Sequence, residues 1–131
     1  MTSAEREILD LNQRLLESIA RADWKTYEQL CDPSLTCFEP EALGTLVSGM
    51  AFHAFYFKLG AAKEPHNTEM CSPHVRLMGD VAVVSYVRVN QRLLGDGTPV
   101  SRSVEETRVW HKQDGQWKHV HFHRSAPTKQ A

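Results

Sequence analysis

Near the start of the chain, Ile8, Leu11, Leu15, Ile19 and Ala22 recur at helical spacing, with Glu, Arg and Gln between them. The pattern predicts an amphipathic helix of about five turns, opened by a capping box between Thr2 and Glu5. Asp23 caps a shorter second helix, whose Trp24, Tyr27, Leu30 and Cys31 repeat apolar character until Asp32-Pro33 stops it. Residues 34–38 read as a short strand, and 39–44, with Pro40 and Gly44, as a turn. A third helix is predicted over about 48–59. Met50, Phe52, Phe55, Tyr56, Phe57 and Leu59 put apolar groups on nearly every side of it, so it should be buried all round, with His53 as its one polar interior candidate.

Beyond Gly60 the period falls to two. Strands are expected at about 68–71, 74–78, 81–93, 100–111 and 117–124, punctuated by Gly79-Asp80, Gly95-Asp96-Gly97 and Asp114-Gly115, and residues 126–131 should fray. Helices first and strands last predict an α+β domain, 1–131, with helices on one face of a curved antiparallel sheet. In the strand at 81–89, Val81, Val83, Val87 and Val89 alternate with Ala82, Val84 and Tyr86, so both faces are apolar. Such a strand needs cover on both sides. Three helices of these lengths cover one, which leaves the other for a neighbouring subunit.

The last two strands carry the chemistry. Val104, Glu106, Arg108 and Trp110 point one way, and Glu105, Thr107, Val109 and His111 the other. In the partner strand Val120, Phe122 and Arg124 share a side, while His119, His121 and His123 share the opposite one. Arg88, Arg108 and Arg124 therefore fall on the face assigned to the interior by Tyr86, Trp110 and Phe122. Buried guanidiniums are costly unless they meet an anion. Two readings stand: an arginine-lined pocket for carboxylates, or structural salt bridges to Glu39, Glu105 or Glu106. His53 is either a titratable pocket group or a satisfied core histidine.

Composition narrows the classes. A chain of 131 residues can bury a core without staples. A formal net charge of −1 argues against a generally basic nucleic-acid binder, though it would conceal a local cationic pocket. Cys31, Cys37 and Cys71, without Cys-x-x-Cys spacing, suit reduced thiols in the cytoplasm. No apolar run approaches the ~20 residues of a membrane span, and the polar start is unlike a signal peptide. His119, His121 and His123 cannot all ligate one ion, because an extended strand spreads i and i+4 by roughly 13 Å. Two of them with His111 could hold zinc, but pH-sensitive interface packing is the preferred reading and no metal or cofactor is assigned. Asp32, Glu39 and Glu41, with Tyr27, Tyr56 or Tyr86 as donors, are either acid–base groups or solvated turn residues. Phosphate loops, nucleophile elbows and kinase catalytic loops have no match in the sequence.

Several stretches together resemble the association, or hub, domain of calcium/calmodulin-dependent protein kinase type II: residues 31–44, Gly49-Met50, Phe52-His-Ala-Phe-Tyr-Phe57, Leu77-Met-Gly-Asp80, Tyr86-Val-Arg88, Glu105-Glu-Thr-Arg-Val-Trp-His111, Asp114-Gly-Gln-Trp117 and Val120-His-Phe-His-Arg-Ser125. The resemblance covers nearly the whole chain. It implies the cone-shaped fold shared with nuclear transport factor two and ketosteroid isomerase, and assembly into two stacked rings of six or more subunits that hold kinase domains together. It also implies a cavity for small carboxylates or acidic peptides, with His53, Arg88, Arg108 and Arg124 at the cavity positions and Glu39, Tyr56 and Tyr86 as contributors. The loop 58–73 and the turn 94–101 depart from the family pattern.

The expectation is thus a non-catalytic oligomerisation scaffold with itself as main partner, kinase subunits as further partners, and neither nucleic acid nor membrane. The alternative is an isomerase- or dehydratase-like enzyme using Glu39 or His53 as base, with Arg108 and Arg124 holding an anionic substrate. A third class is a monomeric or dimeric adaptor for acidic peptides.

Overall fold

The computed structural model describes residues 1–126. Helices α1 (Ser3–Ala20) and α2 (Trp24–Leu30) are followed by β1 (Cys31–Phe38), a 3-10 turn (Pro40–Ala42), the short β2 (Val47–Ser48) and α3 (Ala51–Lys58). Four long strands complete the fold: β3 (His66–Met78), β4 (Val81–Leu93), β5 (Pro99–Gln113) and β6 (Gln116–Arg124). They form one curved, open six-stranded sheet in the order β2-β1-β6-β5-β4-β3. Neighbours are antiparallel apart from β1 and β6, which run parallel. The expected fraying lies, beyond Ala126, outside the described residues.

Local chemistry accounts for the helix starts. Thr2 and Glu5 form the reciprocal capping box, and Asp23 accepts from the Thr26 amide to cap α2. Helix α1 buries Ile8, Leu9, Leu15 and Leu16 against the inner side of β3 and β4. One buried polar tie fixes its height: Trp110 Nε1 donates to Asn12 Oδ1 at 3.0 Å. Leaving either group unpaired in that core would cost about 1–3 kcal/mol.

Helix α3 departs from its predicted burial. His53 is buried, but Phe55 is 61% and Tyr56 41% exposed. The helix is a two-turn element at the rim of the sheet. Phe57 packs on Trp24 and Tyr27, and His53 on Tyr27 and Phe122, so only one side is covered. The two strands expected at 68–71 and 74–78 are one, β3, with a register break between Cys71 and His74 where Ser72 takes φ 51°.

Strand β4 is apolar on both faces, and its inner residues Ala82, Val84 and Tyr86 are buried. On the outer side Val81, Val83 and Val89 are half-buried and Val87 is 38% exposed. The β5–β6 hairpin closes at Asp114-Gly115, both at positive φ, with Gln113 opposite Gln116. A bulge then changes the alternation of β6: Val109 pairs with His121 and Trp110 with His119, so β6 spends an extra residue, Val120. His119 thereby turns into the core with Phe122, while His123 stays exposed. The sequence expectation of three imidazoles on one face fails for this reason.

Candidate functional site

Between α2, α3 and the inner face of the sheet lies a cavity of about 280 Å³. The sheet contributes Arg88 from β4, Arg108 from β5, and Phe122 and Arg124 from β6. Glu39 and Glu41, from the turn after β1, sit on one wall, and His53 and Tyr56 come from α3. The sheet pairings dictate this convergence. Arg88 is opposite Val104, Arg108 is opposite Phe122, and Arg124 is opposite Glu106, so one face gathers all three guanidiniums.

Glu106, at 2% exposure, is the anion at the centre. Its Oε2 is 3.2 Å from Arg108 Nη2 and 3.4 Å from Arg88 Nη1, and its Oε1 accepts from Tyr86 Oη at 2.6 Å. Arg108 also donates Nε–H to Tyr86 Oη at 2.9 Å, and its guanidinium lies 4.3 Å from the centre of the Phe122 ring. Arg88 donates Nε–H to Thr68 Oγ1 at 3.0 Å. Burial alone would raise the Glu106 carboxyl, but Arg108 and Arg88 outweigh it and hold the pKa below the ordinary value. Burial likewise works against the Arg108 cation, and Glu106 together with Tyr86 and Tyr27 overrides it. Tyr86 is pushed up to about 12, chiefly by burial, and stays a neutral donor.

At the cavity mouth Arg124 Nη2 bonds both Glu39, at 3.3 Å, and Glu41. The two carboxylates differ in setting. Glu39, 9% exposed in its side chain, is raised by burial, whereas for Glu41, 37% exposed, burial also raises the carboxyl but the bond to Arg124, a backbone bond and the Arg124 charge together outweigh it and lower it. With His53 neutral, Arg88, Arg108 and Arg124 are matched in number by Glu39, Glu41 and the Glu106 behind them, so the site carries no formal net charge.

His53 Nδ1 is 3.8 Å from Glu39 Oε1 and its Nε2 is 3.8 Å from Cys37 Sγ. Burial, then Arg108, lowers the imidazole to about 4, and burial pushes the Cys37 thiol up to about 12. The ligand atoms of Cys37, Glu39 and His53 lie within 4.8 Å of one another, close enough to reach one ion. Yet Glu39 already serves Arg124, and both Arg108 and Arg124 act on the thiol as nearby cations. The trio fits a neutral hydrogen-bonded cluster better than a cation site. As a base, His53 is too weak near neutrality and Glu39 is held by an arginine, which disfavours proton abstraction here.

Of the residues singled out from sequence, His53, Arg88, Arg108, Arg124, Glu39, Glu41, Tyr27 and Tyr56 border the cavity. Tyr86 stands behind it, bonded to Arg108. Asp32 is elsewhere, accepting from Ser34 and Gln113. Of the salt-bridge partners offered from sequence, Glu106 takes Arg88 and Arg108 and Glu39 takes Arg124, while Glu105 pairs with none of them among the described residues. Ile19 and Phe57 also line the cavity and carried no signal beyond being apolar.

Comparison with known proteins gives a consistent result. Residues 4–128 match the family model described as the calcium/calmodulin dependent protein kinase II association domain. The chain is 48% identical over 128 residues to calcium/calmodulin-dependent protein kinase type II subunit delta of Oryctolagus cuniculus, covering 95% of this chain and 24% of that protein. It therefore spans about a quarter of that relative's length, and the match carries no kinase catalytic domain. A solved hub homology domain from Chlamydomonas reinhardtii is 51% identical, with a TM-score of 0.90, over 97% of this chain and 100% of that one. A nuclear transport factor 2-like protein from Salmonella enterica, at 24% identity and a TM-score of 0.77 over 98% and 94% of the two chains, shares the fold. No helix among the described residues is long and apolar enough to cross a membrane.

Proposed function

The chain belongs to the calcium/calmodulin-dependent protein kinase II association-domain family, and from that premise we propose that it acts as a self-assembling, non-catalytic scaffold. The observation that carries this reading is the outer face of β4. Val81, Val83, Val87 and Val89 lie opposite the side on which α1 packs, and Val87 is 38% exposed. Covering such a face with a second copy gains roughly 25 cal/mol per Å² before association costs. The finer form of the proposal is a single association unit over 1–131, assembled as two stacked rings of six or more copies that bring kinase subunits together where these are present. Three free cysteines fit a cytoplasmic setting. Size-exclusion chromatography with light scattering tests the reading: a multimer is expected, and a persistent monomer overturns it.

The cavity supports a second role, the binding of small carboxylates or acidic peptide segments through Arg124 and, behind it, Arg108 and Arg88, with His53 at the wall. Glu41 is the displaceable partner. It is the more exposed of the two acids on Arg124, so an incoming carboxylate can take its place without stranding a buried charge. Titration with acetate and glutarate, comparing the native chain with Arg124→Ala, tests this: saturable binding weakened by the substitution is expected.

A further inference from the structure

A second cavity, of about 320 Å³, opens where β3, β4 and β5 pass the end of α1 at Ala20. Arg88, Arg92 and Arg102 line it with His66 and Asn90, and no carboxylate does so among the described residues. Register explains the crowding. Arg88 and Arg92 flank Asn90 along β4, and Asn90 lies opposite Arg102 on β5. Alternate residues share a face, so Arg102 is the cross-strand diagonal neighbour of both other arginines, a separation of about 7–8 Å. His66 sits opposite Arg92 and is held by donating from Nε2 to the Ala20 carbonyl at 3.0 Å.

The charges here do not balance. Arg88 has Glu106 as counter-ion, but Arg92 and Arg102 form no ion pair among the described residues. Like charges placed this closely on a sheet repel, whereas each arginine of the first cavity is ion-paired with a carboxylate. We propose that this second cavity is an oxyanion site that takes a phosphate group. A phosphate dianion compensates two unpaired guanidiniums at once, where a single carboxylate compensates one. Its tetrahedral oxygens accept from several planar forks together, and the Asn90 amide is placed to add a donor. Arg88 borders both cavities, so the two sites share a wall while differing in ligand.

Isothermal titration calorimetry of the intact assembly with inorganic phosphate and with O-phosphoserine, at ionic strength matched with chloride, tests the proposal. Saturable phosphate binding is expected. Arg92→Ala and Arg102→Ala should each weaken it by roughly tenfold or more. Both side chains are exposed, so the variants should keep the native melting temperature. Phosphoserine binding as tightly as phosphate would mark a site that reads a phosphate on a larger molecule, and preference for the free ion would mark a site for phosphate itself. Absence of saturable binding, or an isotherm unchanged by Arg102→Ala, overturns the proposal. So does an isotherm that Arg124→Ala weakens as much as Arg102→Ala, because it places the anion in the first cavity.

Discussion

Tyr86 Oη donates to Glu106 Oε1 across 2.6 Å, between residues directly opposite on β4 and β5. That bond leaves Glu106 Oε2 free to face two guanidiniums, Arg88 and Arg108. The carboxylate is thus the hub of the buried charge network. Glu106→Gln strands both cations in a low-dielectric interior, a loss on the order of 3–5 kcal/mol. Urea unfolding should show a lower midpoint with an unchanged slope; a midpoint within error of the native chain would contradict the network.

Acid should weaken the fold through buried histidines. His53 is lowered from 6.5 to about 4 by burial and Arg108, and His119 is lowered well below its ordinary value by burial and Arg108. Between pH 6.5 and 4 the unfolded chain takes up protons at these positions and the native chain does not, so stability falls as pH falls. Each histidine contributes about 1 kcal/mol per pH unit in that window. The melting temperature should drop between pH 7 and pH 5, with a shallower drop in His53→Gln. A flat or rising profile would show that the imidazoles are not buried in neutral form.

Glu41 is expected to compete with ligands for Arg124. Glu41→Gln removes the charge while keeping the shape, so the affinity for acetate or glutarate should rise several-fold with little change in stability, since the residue is substantially exposed. Equal affinity in the two proteins would mean that Arg124 is not the cavity's receiving group.

Assembly should depend on the outer sheet face. Val87 pairs with Cys71 on one side and Glu105 on the other. Val87→Glu adds a charge beside Glu105 that covering would have to desolvate, and like charges directly opposite repel. Light scattering should report a shift to smaller species without loss of the folded far-ultraviolet spectrum. An unchanged mass would show that this face is not where copies meet.

The sequence by itself determined what is local. Capping oxygens at Thr2 and Asp23, the positive-φ pair Asp114-Gly115 and two-residue alternation in β4 and β5 act within a few positions, so they can be read without coordinates. Alternation was enough to place Val104, Glu106, Arg108 and Trp110 on one buried face. Motifs spread along the chain were enough to suggest the family.

Tertiary structure decided whatever depends on register and rim position. The bulge at Val120 turns His119 inward while Phe122 and Arg124 keep the face that alternation gave them, a change of parity that periodicity cannot foresee. The parallel pairing of β1 with β6 brings Glu39 and Glu41 to Arg124 across 85 and 83 residues of sequence. Helix α3 has apolar residues all round and yet lies half open, because composition states what a surface prefers and only packing states what covers it. Which anion compensates which arginine was decided in the same way, since charge pairing depends on distance in space and sequence carries only order.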